Sequence, residues 1–334
     1  MKNLSKRLML LPLLLPTALF AAELNVYASM PEKYATQVLQ EFTKDTGIKA
    51  NLLRLSAGEV LTRLKLEAKN PQVDVLLGGP ADYLEKAKKL GLLVPYKAKD
   101  SEKINPDFKD PQYYWTGIGI MPLAFITNKG FLEKNKIQAP TAWSDLLKPQ
   151  YQNGLILADP RTSGTATERL FTLNKIYGRE GSVDFQKKLH KNVQMYTKSG
   201  AWPALRVGDG LAASAIVYLP DALDIVQLGH PVVISYPKEG VTFGVEAVAK
   251  VKGAKHPKEA DQFLDWAVSD KFGNFIVKNN IKYVPTHPDV KVDDPTLDLK
   301  KIKMLAIPLE DKGELRDKLT NDWIQKVLPS DEKK

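Results

Sequence analysis

Apolar positions recur with two alternating periods along the N-terminal part of the chain. The run 24–28 (Leu-Asn-Val-Tyr-Ala) predicts a strand. Pro31 then opens a helix in which Ala35, Val38, Leu39 and Phe42 fall on one face, and Gly47 ends it. A second strand is predicted over 48–53, a second helix from Val60, Leu61, Leu64 and Ala68, and a third strand over 73–77. The nearly continuous apolar run of that third strand suits burial on both faces. A helix over 83–90 closes at Gly91. Strand and helix alternating in this way predict a parallel sheet with helices on both faces.

The pattern then changes. Residues 106–115 are polar, aromatic and proline-bearing, and read as a loop, whereas 117–127 is a long extended segment suited to crossing between two lobes. A short helix opens at Pro140 and ends at Pro149. A second α/β run follows, with strands over 155–158, 193–196, 212–218 and 232–236 and helices over 182–190, 201–207 and 221–228. Residues 242–251 are extended and placed to cross back. Ala260, Phe263, Leu264 and Ala267 mark an amphipathic helix, 272–277 continues the apolar pattern, and the charged segment from Lys312 to Lys326 reads as a final helix.

The stretch 159–168 (Asp-Pro-Arg-Thr-Ser-Gly-Thr-Ala-Thr-Glu) carries the most chemistry. It lies between the strand 155–158 and a helix marked by Leu170, Phe171, Leu173 and Ile176, which Gly178 is placed to stop. Thr165 with Glu168 three positions later fits a capping box. A helix start offers free backbone N–H groups and the positive end of the dipole, a seat for an anion. Ser163, Gly164 and Thr165 add hydroxyl donors and close backbone approach. The same residues also read as an ordinary N-cap with no ligand.

Composition narrows the class. The chain has 334 residues with 43% hydrophobic and 26% charged residues, enough for two domains of ordinary globular character. Lys2, Lys6 and Arg7, the apolar run 8–15 and the small residues Ala18, Ala21 and Ala22 read as a secretory signal peptide over 1–22. Loss of those three cations lowers the formal charge from +9 to +6. The remaining lysines are scattered among acidic residues, which argues against a nucleic-acid partner and leaves a mild field favouring small anions. Cys is absent, so disulfides, zinc thiolates and thiol nucleophiles are excluded.

In order along the chain come 24–29, then Phe42-x-x-Asp45-Thr46-Gly47-Ile48, Ser56-x-Gly58-Glu59, Val73-Asp74-Val75 and Leu90-Gly91-Leu92-Leu93. In the second half follow Asp159-Pro160-x-x-Ser163-Gly164-Thr165, Tyr196-x-x-Ser199-Gly200 and Lys252-Gly253-Ala254-Lys255-x-Pro257. With these segments the chain resembles an extracellular solute-binding protein of an ABC importer, in the group of ferric-ion, thiamine and phosphorylated-metabolite binders. The resemblance implies an α/β, two-lobe, type II periplasmic-binding-protein fold with crossing hinge strands. Lobe one would comprise 23–121 and 240–334, and lobe two 122–239. It further implies a periplasmic, monomeric protein that closes on a small anionic ligand and docks on an inner-membrane ABC permease, with no catalytic residues, cofactor or resident metal.

In such a cleft, strand ends and helix starts gather the donors. The candidate ligand-binding residues are Ser29, Ser56, Gly58 and Gly79 from lobe one, and Ser163, Gly164, Thr165, Ser199, Gly200, Tyr218 and Asp221 from lobe two. Three hydroxyl-rich helix starts suit a phosphate, while Arg54 reads as a solvated strand-end arginine. Ferric binders of the group carry two adjacent tyrosines, but here Tyr218 precedes Leu219, and His190, His230, His256 and His287 read as dispersed, exposed and idle. Hexose-phosphate binders show His-Asp where this chain has Pro220-Asp221, and an acidic residue where it has Phe243-Gly244. A flat apolar region in that place favours an aromatic ring, with Tyr27, Tyr218, Trp202 and Phe243 as candidate walls, core packing being the favoured reading for Tyr27 and Phe243, and Asp221 left to pair with a ring nitrogen or a hydroxyl. The expected ligand is thus pyridoxal phosphate or a sugar phosphate, with ferric ion as the alternative. An exported metal-independent hydrolase is the alternative of another class; it finds no support from a Gly-x-Ser-x-Gly, His-Glu-x-x-His or Walker-type motif, and Asp159, Asp221 and Glu246 are not paired by any spacing.

Overall fold

A computed structural model describes residues 23–329. The first half opens with β1 (Glu23–Ala28), α1 (Glu32–Thr46), β2 (Lys49–Arg54), α2 (Ala57–Leu66), β3 (Val75–Pro80), α3 (Ala81–Lys89) and β4 (Leu93–Val94). β1 lies between β2 and β3, parallel to both, the arrangement predicted from the alternating pattern. The α1 face formed by Ala35, Val38, Leu39 and Phe42 is buried, and Gly47 caps the helix in the left-handed region at φ 75°.

The predicted crossing segment is β5 (Thr116–Asn128), a strand with every residue buried. Its first part pairs antiparallel with β10 (Phe243–Val251) and β11 (Val284–Pro285), and its second part with β8 (Ser214–Tyr218) and β9 (Val232–Ser235). The change of partners falls between Pro122, opposite Phe243, and Leu123, opposite Tyr218. Two lobes therefore share one sheet path, β2-β1-β3-β10-β5-β8-β6-β7. The second lobe holds α4 (Lys129–Asn135), β6 (Leu155–Ala158), α5 (Gly164–His190), β7 (Val193–Thr197), α6 (Trp202–Gly208) and α7 (Leu219–Gln227). After β10 the chain returns to the first lobe with α8 (Pro257–Ala267) and α9 (Asp270–Lys278).

One local expectation changes. The cap of α5 is Ser163, whose Oγ accepts from the Ala166 N–H at 3.4 Å; Glu168 takes no part in a capping box. Gly178 does break the helix, at φ 69° and ψ 174°, and a second helical stretch continues to His190. Glu168 is instead buried against Lys312 of α10 (Leu309–Lys326), Nζ to Oε1 2.6 Å. One turn further on, Arg316 pairs with Asp82 of α3 and also donates to Thr167 Oγ1 of α5 at 3.2 Å. The last helix thus ties α3 in one lobe to α5 in the other through two buried ion pairs. The proposed signal segment lies outside the described residues, among which no helix is long and apolar enough to cross a membrane.

Candidate functional site

The carboxyl ends of β1, β2, β3, β6, β7 and β8 meet at one cleft between the lobes. Helix starts follow five of these strands directly or within a short loop, and α1 begins at the same place after Pro31. The positive ends of six helices therefore face a common space, which favours an anion. The remaining cavity has a volume of about 60 Å³, room for a few waters or a group the size of a phosphate.

Of the eleven sequence candidates, nine line this cavity. From the first lobe come Ser29, Ser56 and Gly79. From the second come Ser163, Gly164 and Thr165, joined by Gly200, Tyr218 and Asp221. Ser163 and Thr165 are buried, and Gly200 makes room for both. A Cβ there would lie 2.1 Å from Thr165 Oγ1 and 2.9 Å from Ser163 Oγ. The loop leading to Ser163 is held by Asp159, whose carboxylate accepts from the Arg161 N–H at 2.7 Å and whose carbonyl accepts from the Ser163 N–H at 2.9 Å.

Two candidates fall outside the lining. Gly58 sits at the rim and donates its N–H to the Thr162 carbonyl at 3.1 Å; a Cβ there would meet Arg161 O at 2.8 Å. Its role is close contact between the lobes. Ser199 offers its carbonyl to Thr197 Oγ1 at 2.7 Å and does not line the cavity.

Three of the four aromatic candidates lie outside the lining, Tyr27 and Phe243 by packing elsewhere. Tyr27 is buried with its hydroxyl on Glu67 at 2.9 Å, Trp202 carries the Arg206 guanidinium on its ring at 4.0 Å, and Phe243 packs edge-on to Phe108. Only Tyr218 reaches the cavity, and burial together with the Glu168, Asp82 and Glu246 carboxylates drives its phenol well above the usual range. The histidines are dispersed as expected but not idle. His256 Nδ1 contacts the Asp74 carboxylate at 2.9 Å, His190 contacts Tyr196 Oη at 3.0 Å, and His287 is buried.

Three further lining residues change the chemistry: Arg54, Glu246 and Tyr283. Arg54 is half-buried at the cleft and donates Nε to the Met30 carbonyl at 3.3 Å, so it is not merely a solvated strand end. Positions 243–244 carry no acidic side chain, but Glu246, two residues on and 1% exposed, lines the cavity. Position 244 could not hold an acidic side chain, because a Cβ there would stand 2.8 Å from Tyr218 Oη. Asp221 reaches the cleft from the opposite lobe, half-buried in the first turn of α7. Burial and the nearby Asp224 push its carboxyl up to about 7, with Arg54 opposing. Burial and then Asp221 push Glu246 up to about 8, against a hydrogen bond from the Gly79 N–H. No cluster of three or more His, Asp or Glu side chains suited to a metal ion occurs among the described residues.

The comparisons with known proteins agree with this architecture. The family model for bacterial extracellular solute-binding proteins matches residues 70–306, and the chain belongs to that family. A Haemophilus influenzae protein of unassigned function is 31% identical over 93% of this chain and 96% of its own length. The thiamine-binding periplasmic protein of Escherichia coli is 27% identical, with 74% of each chain covered. Among solved structures, the periplasmic binding protein AfuA of Actinobacillus pleuropneumoniae with fructose-6-phosphate bound has a TM-score of 0.88 and 28% identity. It covers 92% of this chain and 98% of its own. The fold is the two-lobed type II periplasmic-binding-protein fold, and the protein is a solute-binding component of an ABC importer.

Proposed function

We propose that the protein captures a small phosphorylated metabolite in the interlobe cleft, in the periplasm, and delivers it to an inner-membrane permease without chemical change. The observation that carries this reading is the convergence of Ser56, Ser163, Thr165 and the Gly200 backbone at helix starts from both lobes. Hydroxyls and free N–H groups at positive helix ends match the oxygens of a phosphate. The side chains placed beyond them, Asp221 and Glu246, accept hydrogen bonds and would hold the body of the ligand. A sugar phosphate or pyridoxal phosphate each offers donors to that end.

In this reading 23–121 with 240–334 and 122–239 act as two bodies that close on the ligand, and the ligand's contacts to both supply the affinity for the closed state. Ferric ion ranks lower. Iron-uptake relatives exist, such as iron uptake protein A1 of Synechocystis, 25% identical over 78% of this chain and 75% of its own. The ferric binders' pair of adjacent tyrosines is broken here, however, because Tyr218 is followed by Leu219. Hydrolysis is ranked last because the buried hydroxyls meet no positioned base.

A thermal-shift screen of ligand-free, refolded protein tests the reading. The panel holds pyridoxal phosphate, sugar phosphates, their dephosphorylated partners, thiamine and ferric citrate. A shift with phosphorylated members alone supports the reading; a shift with ferric citrate or thiamine alone overturns it.

A further inference from the structure

Glu246 is placed with unusual structural effort. Its strand, β10, changes register beside it against both neighbours, β3 and β5, and a bulge of that kind re-aims a side chain. Space for the carboxylate comes from glycines. A Cβ at Gly78, which lies at φ 76°, would fall 2.2 Å from Glu246 Oε1, and Gly119 lies opposite Glu246 in β5. The Gly79 N–H donates to the carboxylate, while Oε1 is buried without a partner. A buried, unpartnered oxygen on a carboxyl that lines the ligand cleft asks for a donor that the protein does not supply.

The charge balance says which kind. The charged side chains lining the cavity are Arg54, Asp221 and Glu246. The phenols of Tyr218 and Tyr283 flank them, and Asp224 lies behind Asp221 with Tyr34 bonded to it. Lys282, on the same side, is engaged with Asp294 at 2.6 Å. The helix starts and hydroxyls answer a phosphate, whereas two carboxylates face a single guanidinium. A neutral hydroxyl pairs with Glu246 in its protonated form; a protonated nitrogen pairs with the ionised form and makes a charge-assisted bond.

We propose that the cleft selects a zwitterion, a phosphorylated solute whose body carries a protonated nitrogen lodged between Glu246 and Asp221. This rests on the phosphate reading above and narrows it. An amino sugar phosphate, an aminoalkyl phosphate or a protonated pyridine phosphate belongs to the class, and a plain hexose phosphate does not. A hydroxyl in place of the nitrogen leaves Glu246 protonated, whereas the nitrogen draws that proton off.

Titration calorimetry near neutral pH, in two buffers of different ionisation enthalpy, tests this with matched pairs: glucosamine phosphate against glucose phosphate, and phosphoethanolamine against glycol phosphate. The amine member of at least one pair binds about tenfold or more tightly and with net proton release, while its hydroxyl partner binds without that release. Glu246→Gln erases the preference and keeps the need for phosphate. It also raises the melting temperature of the ligand-free protein at alkaline pH, which loss of a purely structural carboxylate would not do. Equal binding within both pairs, or a preference unchanged by Glu246→Gln, overturns the inference and leaves the phosphate reading standing. If the variant does not fold, the proton count on the wild type decides alone. Absence of binding by both pairs and by pyridoxal phosphate overturns the phosphate reading itself.

Discussion

Gly164 on one lobe lies so close to Pro80 on the other that a Cβ at position 164 would stand 2.4 Å from Pro80 Cγ. Neither the proline ring nor the helix start behind Gly164 can yield cheaply. The contact exists only when the lobes are together, so a methyl group there opposes closure and leaves each lobe's own packing intact. Overpacking of this kind costs roughly 1–3 kcal/mol, here charged to the closed state alone. Gly164→Ala therefore weakens ligand binding by about 5–150-fold, with the melting temperature of the ligand-free protein unchanged. Calorimetry and a ligand-free melt measured together check it.

A second contact between the lobes is polar. Tyr34 of α1 donates to the Asp224 carboxylate of α7, and Tyr34 is 3% exposed. Removing the hydroxyl leaves a partly buried carboxylate without that donor, a loss of about 1–3 kcal/mol. Because the bond joins the lobes, the loss falls on the closed form. Tyr34→Phe raises the ligand's dissociation rate and leaves association near its original value, which stopped-flow displacement measures.

The ion pairs under α10 make a different prediction. Glu168 and Lys312 are both almost wholly buried, and Lys312 also donates to the Phe243 carbonyl at 2.7 Å. Lys312→Met strands the Glu168 carboxylate and destabilises the fold by about 3–5 kcal/mol, whereas replacing both partners with apolar residues recovers most of the loss. Urea unfolding of Lys312→Met and of Lys312→Met with Glu168→Leu compares the two.

The cleft carboxyls give stability a pH dependence of known sign. Asp221 is raised to about 7 and Glu246 to about 8 in the native state, against about 4 for both in the unfolded chain. Between those limits these two groups hold more protons in the native state, so their contribution to stability falls as pH rises from about 4 to about 8 and levels off above. Glu246→Gln removes its share of the slope. Melting curves of the ligand-free wild type and variant across that range show a difference that grows with pH and then becomes constant.

Much of this was legible in the order of residues. The alternation over 24–91 predicted the parallel strands β1 to β3, and the long apolar segments at 117–127 and 242–251 marked β5 and β10 because a strand shared by two lobes is buried throughout. Ser163, Gly164 and Thr165 could be found because a strand end, a hydroxyl cap and a helical pattern are contiguous. Glu246 was not visible as a cleft residue. In Val-Glu-Ala-Val-Ala a lone carboxylate reads as the outward position of a half-exposed strand, and its inward aim comes from a bulge and from glycines in β3 and β5. Glu168 read as a capping residue because its true partner, Lys312, is 144 residues away. Gly58 and Ser199 share the local chemistry of their neighbours, and only the approach of the two lobes separates rim contacts from cavity lining.

The central claim is that a phosphate is held where Ser163 and Thr165 meet Ser56. The most direct measurement titrates a phosphorylated compound and its dephosphorylated partner into the wild type and into Ser163→Ala/Thr165→Ala. The wild type is expected to bind the phosphorylated member alone. The double variant loses about 2–4 kcal/mol of that binding, as expected for hydrogen bonds to a charged acceptor. Equal binding of the two compounds, or an unchanged affinity in the double variant, contradicts the claim.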